Sequence, residues 1–218
     1  MMPMQSSFAI PFLLTPGRLA IDSVVTFVVS ALVAITVNAE AQAFAATLFG
    51  DARSESNDRF HFNAFLHLDL FGGLCFLFGG FGWPRRIGVD AGKFRHPHFY
   101  SVLTRLAGPL GNFLMANIAG SIIWLFTVME FDPRVFKMLM GVNLMVGVAN
   151  LIPIPPLAAG EVLSALGFYG GPGPQAKLER IGPIAVLALV AVDRLAGLDF
   201  LASVMTPLVV SLADMIEI

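Results

Sequence analysis

The sequence predicts an all-α integral membrane protein, and three observations support this fold class. Of the 218 residues, 56% are hydrophobic and only 13% are charged, with a mean hydropathy of +0.78, whereas soluble domains carry about 25% charged residues. Several apolar segments approach the roughly 20 residues that a helix needs to cross a bilayer. Glycine and proline divide the other apolar stretches into short pieces. We therefore expect a single membrane domain over residues 1–218.

The first half of the chain predicts one long helix followed by broken structure. Residues 21–49 begin with "IDSVVTFVVSALVAITV", which is long enough for most of a bilayer crossing. Their second half places Asn38, Glu40 and Gln42 at membrane depth, where polar side chains face protein or a cavity. Residues 63–83 are apolar but contain five glycines, which predicts a re-entrant or broken helix. Residues 84–100 predict a loop with at most a short strand pair.

The second half predicts two further long helices and a helical C-terminus. Residues 101–131 form one of them, and residues 136–151 form the other, which ends at "PIPP" because proline cannot continue a helix. A short helix and a Gly/Pro turn follow, and apolar segments at 181–192 and 200–216 predict extra C-terminal helices within about 181–216. Small and polar residues recur every fourth position in the 101–131 helix: Gly108, Asn112, Ala116 and Gly120. This stripe predicts a close approach by another helix.

Charge and cysteine content narrow the function classes. The formal net charge is -2, so nothing indicates a nucleic-acid partner. The single cysteine, Cys75, excludes an internal disulfide framework. Basic residues concentrate between positions 84 and 105, which predicts that this segment lies on the cytoplasmic side of the membrane; they are Arg85, Arg86, Lys93, Arg95 and Arg105.

Four separated segments carry a family resemblance. They are "FLHLDLFGG" (65–73), "GFGWPRRIGVDAGKFR" (80–95), "LAGPLGNFLMA" (106–116) and "NLIPIPPLAAGEVL" (150–163). In order and spacing, from about residue 25 to 166, the chain resembles the site-2 protease type of intramembrane zinc metalloproteases. The resemblance implies a three-helix core within about 21–168, flanking helices and a short irregular or β-like loop region. It also implies a multi-pass protein of the bacterial inner membrane.

The resemblance implies that the family's catalytic positions are degenerate in this chain. Aligned from Gly50, the family's His-Glu-x-x-His places its first zinc ligand at Asn38, its catalytic Glu at Ala39 and its second ligand at Gln42. Its third ligand, an Asp, falls at Ala158. The family's reaction needs imidazole and carboxylate ligands for zinc, and a Glu that takes the proton of the bound water. We therefore expect no catalytic residue, no metal and no cofactor.

Other polar residues receive structural interpretations from the sequence. Asn38 and Gln42 lie one turn apart, so they are predicted to hydrogen-bond each other or the backbone of "NLIPIPP". Glu40 is turned about 100° from residue 39 around the helix and is expected to point elsewhere. The sequence leaves open whether any histidine ligates a cofactor; the four are His61, His67, His96 and His98.

Three functional hypotheses follow. The favoured one is a pseudoprotease that acts in the bilayer as an accessory subunit or regulator and binds a transmembrane partner. Its partner-binding candidates are Gly108, Asn112, Ala116, Gly120 and Asn150. The first alternative is an active intramembrane metalloprotease with a non-standard site built on Glu40, Gln42 or a displaced histidine. The second is a transporter or channel, which the lack of an inverted repeat disfavours.

Overall fold

The structure is a computed structural model that describes residues 21–51 and 62–216. The described residues are helical and contain no strand, which confirms the predicted all-α class. The helices are α1 (Ile21–Leu48), α2 (Leu70–Gly79), α3 (Pro97–Val128), α4 (Arg134–Ala149), α5 (Ala158–Ala165), α6 (Pro172–Leu195) and α7 (Phe200–Ile216). Two 3₁₀ turns, Ala64–His67 and Ala91–Lys93, lie between them.

Helices α1, α3 and α4 pack against one another and form the centre of the molecule. Helix α5 packs on α3, α7 on α4, and α2 on α6. The three central helices meet through small side chains such as Ala34, Ala116 and Ala149, each of which is fully buried. Because these residues add only a methyl group, the helix backbones can approach closely. The three long helices predicted from the sequence are thus the ones at the centre.

Two of the described helices, α1 and α3, are long and apolar enough to cross a membrane. Large apolar side chains on their outer faces are exposed, including Val25, Leu110, Leu114 and Trp124. Helix α4 has 16 residues, or about 24 Å, which is shorter than the roughly 30 Å hydrocarbon core of a bilayer. Nine of its residues are buried, so this predicted third span lies mostly in the protein interior.

The glycine-rich segment 63–83 is a broken helix, as the sequence predicts. The turn Ala64–His67 is followed by α2, which Asp69 caps by accepting a hydrogen bond from the Gly72 backbone N–H at 2.8 Å. The indole of Trp83 donates to the same Asp69 oxygen at 3.0 Å. A Cβ on Gly72 would stand 2.3 Å from the Trp83 carbonyl oxygen, so only glycine permits this contact. The packing directs the chain after Trp83 towards the central helices.

Residues 84–96 form the predicted irregular loop, without the short strand pair that the sequence left open. Among the described residues there is one isolated bridge, between Leu68 and Pro84, and no strand pair. The segment is held instead by side chains: the buried Asp51 accepts a hydrogen bond from the Asp90 backbone N–H at 2.9 Å. Helix α3 then begins at Pro97, four residues before the predicted start. Proline is favoured at the first position of a helix, where its missing N–H has no intrahelical partner.

Helix α6 begins earlier than the sequence predicts. The sequence predicts a Gly/Pro turn followed by a helix from residue 181, yet α6 begins at Pro172 and continues through Pro183. Gly171 precedes it with φ of 107°, a conformation that favours glycine, and Pro172 takes the first helical position. At the other end, Asp193 accepts hydrogen bonds from the backbone N–H groups of Phe200 and Leu201 and so ties α6 to the start of α7.

Candidate functional site

A small cavity lies between α1, Arg105 of α3 and two of the four resemblance segments, residues 80–95 and 150–163. Asn38 and Gln42 of α1, Asn150 at the end of α4 and Ala158 at the start of α5 all line it. Its volume is about 20 Å³, which is room for about one water molecule. The structure therefore brings Asn38, Gln42 and Ala158 to one cavity, as the sequence alignment places them, whereas Ala39 lies outside its lining. The rest of the lining is Trp83, Pro84, Arg85, Arg86, Ile87, Arg105, Pro156 and Glu161.

The inner side of this cavity is closed by hydrogen-bonded amide side chains, here called the amide network: Asn38, Gln42, Asn112 and Asn143. Gln42 donates to Asn38 Oδ1 at 2.8 Å, as the sequence predicts. Asn38 donates to Asn112 Oδ1 at 2.7 Å, and Asn112 donates to Asn143 Oδ1 at 3.0 Å. Asn112 also donates to the Ala34 carbonyl at 2.9 Å. Helices α1, α3 and α4 are thereby joined through neutral polar groups.

Gly108 allows the amide network to form. A Cβ at this position would stand 2.6 Å from Asn38 Oδ1 and 2.9 Å from Gln42 Nε2. The predicted stripe that contains Gly108 is buried along its whole length, and Gly120 lies against Ile216 of α7. The prediction of close helix packing is confirmed. A partner could reach the stripe only after the chain's own helices moved, so partner binding there remains a prediction.

Ala39 and Glu40, which follow Asn38 on α1, face different surroundings. Ala39 is fully buried in a small apolar cluster with Ala43 and Ile87. Glu40 points away from the cavity: its Oε1 lies 3.0 Å from His67 Nε2 and accepts a hydrogen bond from the Phe62 backbone N–H at 3.1 Å. The Glu40 carboxylate therefore makes its hydrogen bonds on a side of α1 that faces away from the cavity.

Asn150 shapes the part of the cavity formed by the start of α5. Its Oδ1 accepts a hydrogen bond from the Ala158 backbone N–H at 2.9 Å, and its Nδ2 donates to the Val146 carbonyl at 2.8 Å. Neither Asn38 nor Gln42 bonds to this segment in the described structure, in contrast to the alternative the sequence left open. Both ends of the Asn150 amide are used within the chain, so its predicted role in binding a partner's backbone remains untested. Ala158 presents a methyl group to the cavity.

Arg86, Arg105 and Glu161 form the outer side of the cavity, and together with Glu179, which pairs with Arg86, they are here called the ionic cluster. Arg105 Nε lies 2.8 Å from Glu161 Oε2, and Arg86 Nε lies 3.1 Å from Glu161 Oε1. Both terminal nitrogens of Arg86 also donate to Glu179, the second at 3.0 Å. Arg105 Nη1 donates to Gln42 Oε1 at 3.1 Å, which joins the ionic cluster to the amide network.

The charge pattern of the sequence assigns Arg86 and Arg105 to membrane orientation and predicts no role for Glu161 or Glu179. The sequence contains a signal for such ion pairs, because charged residues beside long apolar segments are costly unless they are paired. The pairing partners lie far away in the sequence, however, and only the fold brings them together. The Glu161 side chain is 5% exposed and Arg86 is 46% exposed, so the cluster extends from the interior to the surface.

The charges at the surface end of the ionic cluster shift each other's pKa. The hydrogen bond from the Arg86 side chain lowers the pKa of Glu179, although partial burial opposes the effect. Burial acts to lower the pKa of Arg86, but the hydrogen bond and charge of Glu179 and the charge of Glu161 outweigh it, so the pKa rises. Both groups are therefore held in their charged forms.

The described histidines lie outside the cavity lining. His67 pairs with Glu40, His98 Nδ1 lies 3.0 Å from the Ala165 carbonyl oxygen, and the His96 ring contacts Tyr100. His61 lies outside the described residues. Within the described ranges, no three side chains from His, Cys, Asp or Glu converge as a group that could hold a metal ion.

The comparisons with known proteins give one informative match. No protein-family model matches the chain. No solved structure matches it either. The chain is 31% identical over 171 residues to a protein of Bacillus subtilis (strain 168) described as "Putative zinc metalloprotease YwhC". The aligned region covers 74% of this chain and 78% of that relative. The chain therefore belongs to the metalloprotease family that this relative represents.

Proposed function

We propose that this chain is a non-hydrolytic member of the site-2 protease type, which serves as an accessory subunit or regulator and binds a transmembrane partner. The four resemblance segments and the related metalloprotease support the family placement. The two helices that are long and apolar enough to cross a membrane support a location in the bilayer, for which we propose the bacterial inner membrane. The loss of hydrolysis rests on the residues of the cavity.

The residues present do not fit a zinc ion. Zinc is held in proteins by imidazole, thiolate and carboxylate groups. At the corresponding positions the cavity offers the Asn38 and Gln42 amides and the Ala158 methyl group. Both amide oxygens already accept hydrogen bonds, Asn38 Oδ1 from Gln42 at 2.8 Å and Gln42 Oε1 from Arg105 at 3.1 Å. The amide oxygens are weak zinc ligands, and both are already hydrogen-bonded within the chain. This observation carries the proposal.

Among the residues that the structure describes, the cavity also lacks a carboxylate that is free to act as a general base. Ala39 stands at the family's base position, and Glu40 is directed to His67. Glu161 lines the cavity, but its two oxygens lie beside the guanidinium groups of Arg86 and Arg105. Glu161 is the carboxylate in the described cavity lining, so it is the residue through which we test the alternative of an active protease with a non-standard site.

For the partner contact we propose the outward face of α3 in place of its buried stripe. Asn117 and Ser121 are exposed there in the middle of an apolar helix. Each donates a hydrogen bond to a carbonyl of its own helix: Asn117 to Phe113 at 2.8 Å and Ser121 to Asn117 at 3.1 Å. Polar side chains on a lipid-facing surface are costly and bind across helices. A transmembrane helix with a polar residue at the same depth fits this face.

The test of hydrolysis uses the purified full chain in lipid vesicles. We expect less than about 0.1 zinc per chain by elemental analysis, and no cleavage of transmembrane substrates with added zinc. Stoichiometric zinc together with chelator-sensitive cleavage that Glu161→Gln abolishes would establish the non-standard protease and end the proposal.

The test of partner binding uses gentle purification of the tagged chain from its native membranes. We expect a companion membrane protein at a fixed ratio to the chain. Asn117→Leu with Ser121→Ala should lower that ratio by about 3-fold to 30-fold, because an interhelical hydrogen bond contributes about 0.6–2 kcal/mol. Ser203→Ala is the matched control, since Ser203 is an exposed serine on α7 that also bonds to its own helix. An unchanged ratio in the double variant would reject this face as the contact.

A further inference from the structure

Arg105 occupies a central place at the cavity. It lies on α3 one turn before Gly108, and its side chain is 14% exposed. Its guanidinium contacts Gln42 Oε1 of α1 at 3.1 Å, Glu161 Oε2 of α5 at 2.8 Å and the Ile87 carbonyl oxygen at 3.5 Å. One side chain thus connects α1, α3, α5 and the segment before α3.

We propose that the Arg105 guanidinium is the resident cation of this cavity: it joins α1 to α5 where a metal would join them in a hydrolytic relative, and it excludes a divalent metal. The inference rests on the proposed loss of zinc binding and explains what holds the site together without zinc. Arginine suits this role because its guanidinium is always charged and presents five donors in a fixed plane.

The charges around Arg105 support the exclusion of a metal. Arg86 and Arg105 are balanced by Glu161 and Glu179, so the ionic cluster is neutral as it stands. Arg85 adds a further positive charge to the cavity lining. A divalent cation would therefore bring two uncompensated positive charges beside a buried guanidinium. Like charges that are close together and shielded from water repel strongly.

The first test restores the metal ligands. A ligand-restored variant carries Asn38→His, Gln42→His and Ala158→Asp in the full chain, and zinc affinity is measured by equilibrium dialysis in detergent. We expect zinc to bind about 10-fold to 100-fold more tightly when Arg105→Gln is added. Adding Arg105→Lys, which keeps the charge, should give no such gain. Equal zinc affinity with and without Arg105→Gln would overturn the exclusion of metal.

The second test uses the otherwise unchanged chain, because the ligand-restored variant could fail to fold. Amide hydrogen exchange is measured over α5 in wild type, Arg105→Met and Arg134→Met. Removing the connection through Arg105 should speed exchange in Ala158–Ala165 by about tenfold or more, since local opening then needs fewer contacts broken. The control Arg134 pairs with Asp132 on the exposed surface, so its replacement should leave α5 unchanged. Unchanged exchange in Arg105→Met would overturn the joining role.

The two proposals fail in different ways. Zinc-dependent cleavage by the wild-type chain would refute the proposed loss of hydrolysis whatever Arg105 does. Unchanged zinc affinity and unchanged exchange in the Arg105 variants would refute the role of Arg105, while a wild-type chain without zinc or cleavage would leave the proposed function in place.

Discussion

The amide network and the ionic cluster bury polar groups on opposite sides of the same cavity with different chemistry. In the amide network, Asn38 is 1% exposed and Asn112 and Asn143 are fully buried. In the ionic cluster the side-chain exposure rises from 5% at Glu161 to 22% at Glu179 and 46% at Arg86. The three asparagines therefore occupy the part most distant from solvent, the half-buried Gln42 joins them to Arg105, and the charges extend to the surface.

This difference follows from the cost of burial. A buried amide loses little when another amide or a backbone carbonyl completes its hydrogen bonds, whereas a buried charge needs both a counter-charge and further donors. Asn112 meets the first condition with three hydrogen bonds. Glu161 meets the second with two arginines, one of which extends to the surface. The comparison shows that one small cavity can be lined by both neutral amides and full charges when each group stands at a depth where its hydrogen bonds and counter-charges are available.

The largest expected effect comes from Asn112→Leu. The substitution would leave Asn38 Nδ2 and Asn143 Oδ1 without their present partners in a fully buried place. Each such orphaned group costs about 1–3 kcal/mol, so the free energy of unfolding should fall by about 4 kcal/mol. Denaturant unfolding in micelles measures it. Asn117→Leu on the exposed face of the same helix is the control and should cost less than about 1 kcal/mol. Equal losses of unfolding free energy in the two variants would show that the amide network contributes no more to stability than an exposed asparagine.

A smaller effect is expected from Glu161→Gln in the ionic cluster. The change leaves the mostly buried Arg105 without its counter-charge, and breaking a buried pair costs about 3–5 kcal/mol. Because Arg86 is 46% exposed and partly solvated, we expect a loss of about 2–3 kcal/mol in the same unfolding experiment. Glu179→Gln is the matched change nearer the surface and should cost less than about 1 kcal/mol. The reverse order would show that depth does not govern the strength of these pairs.

Gly108→Ala tests the contact between α3 and the amide network with a single methyl group. The added Cβ would stand 2.6 Å from Asn38 Oδ1, and Asn38 is held by its own hydrogen bonds. Overpacking of this kind costs about 1–3 kcal/mol. At Gly73 of α2 an added Cβ would meet nothing within 4 Å, so Gly73→Ala should raise stability by about 0.5–1 kcal/mol through helix propensity. Opposite signs for the two glycines in thermal unfolding are the expected result.

The helices were largely predictable because a local pattern carries each of them. Apolar runs located α1, α3, α4 and α7, and the glycines of residues 63–83 indicated a broken helix. The errors arose where one residue type has two roles. Proline ends helices, yet Pro97 and Pro172 stand at first helical positions, so α3 and α6 begin earlier than the pattern indicates.

The site was predictable only in part. The bond between Gln42 and Asn38 follows from a spacing of four residues on one helix. The other bonds depend on the fold: Asn38 and Asn112 are 74 residues apart, and Arg86 and Glu179 are 93 apart. Local periodicity contains no information about such pairs. Membrane orientation is a sufficient explanation for the basic residues near Arg86. Their number therefore does not indicate that Arg86 pairs with Glu161 and Glu179.

The smallest expected effect is a dependence of stability on acid pH through Glu179. The hydrogen bond from Arg86 holds the pKa of Glu179 in the folded protein below its ordinary value of 4.5, to which it returns on unfolding. A carboxylate with a lowered folded pKa contributes stability that is fully present above the unfolded pKa. That contribution is lost as the pH falls from 4.5 through the lower folded pKa, because the folded carboxylate must then take up a proton.

Thermal unfolding between pH 6 and pH 3 measures this contribution in the wild type and in Glu179→Gln. Solvent screens this partly exposed pair, so the part of the acid loss that Glu179→Gln removes should be less than about 1 kcal/mol. It should shrink further at about 1 M salt, where the Debye length falls to roughly 3 Å. The deeper Glu161 sits between two arginines, so its pairing should be much less sensitive to salt. An acid loss that is the same in wild type and Glu179→Gln, and that salt does not change, would place the titrating group elsewhere and leave the surface end of the ionic cluster without a measurable role in stability.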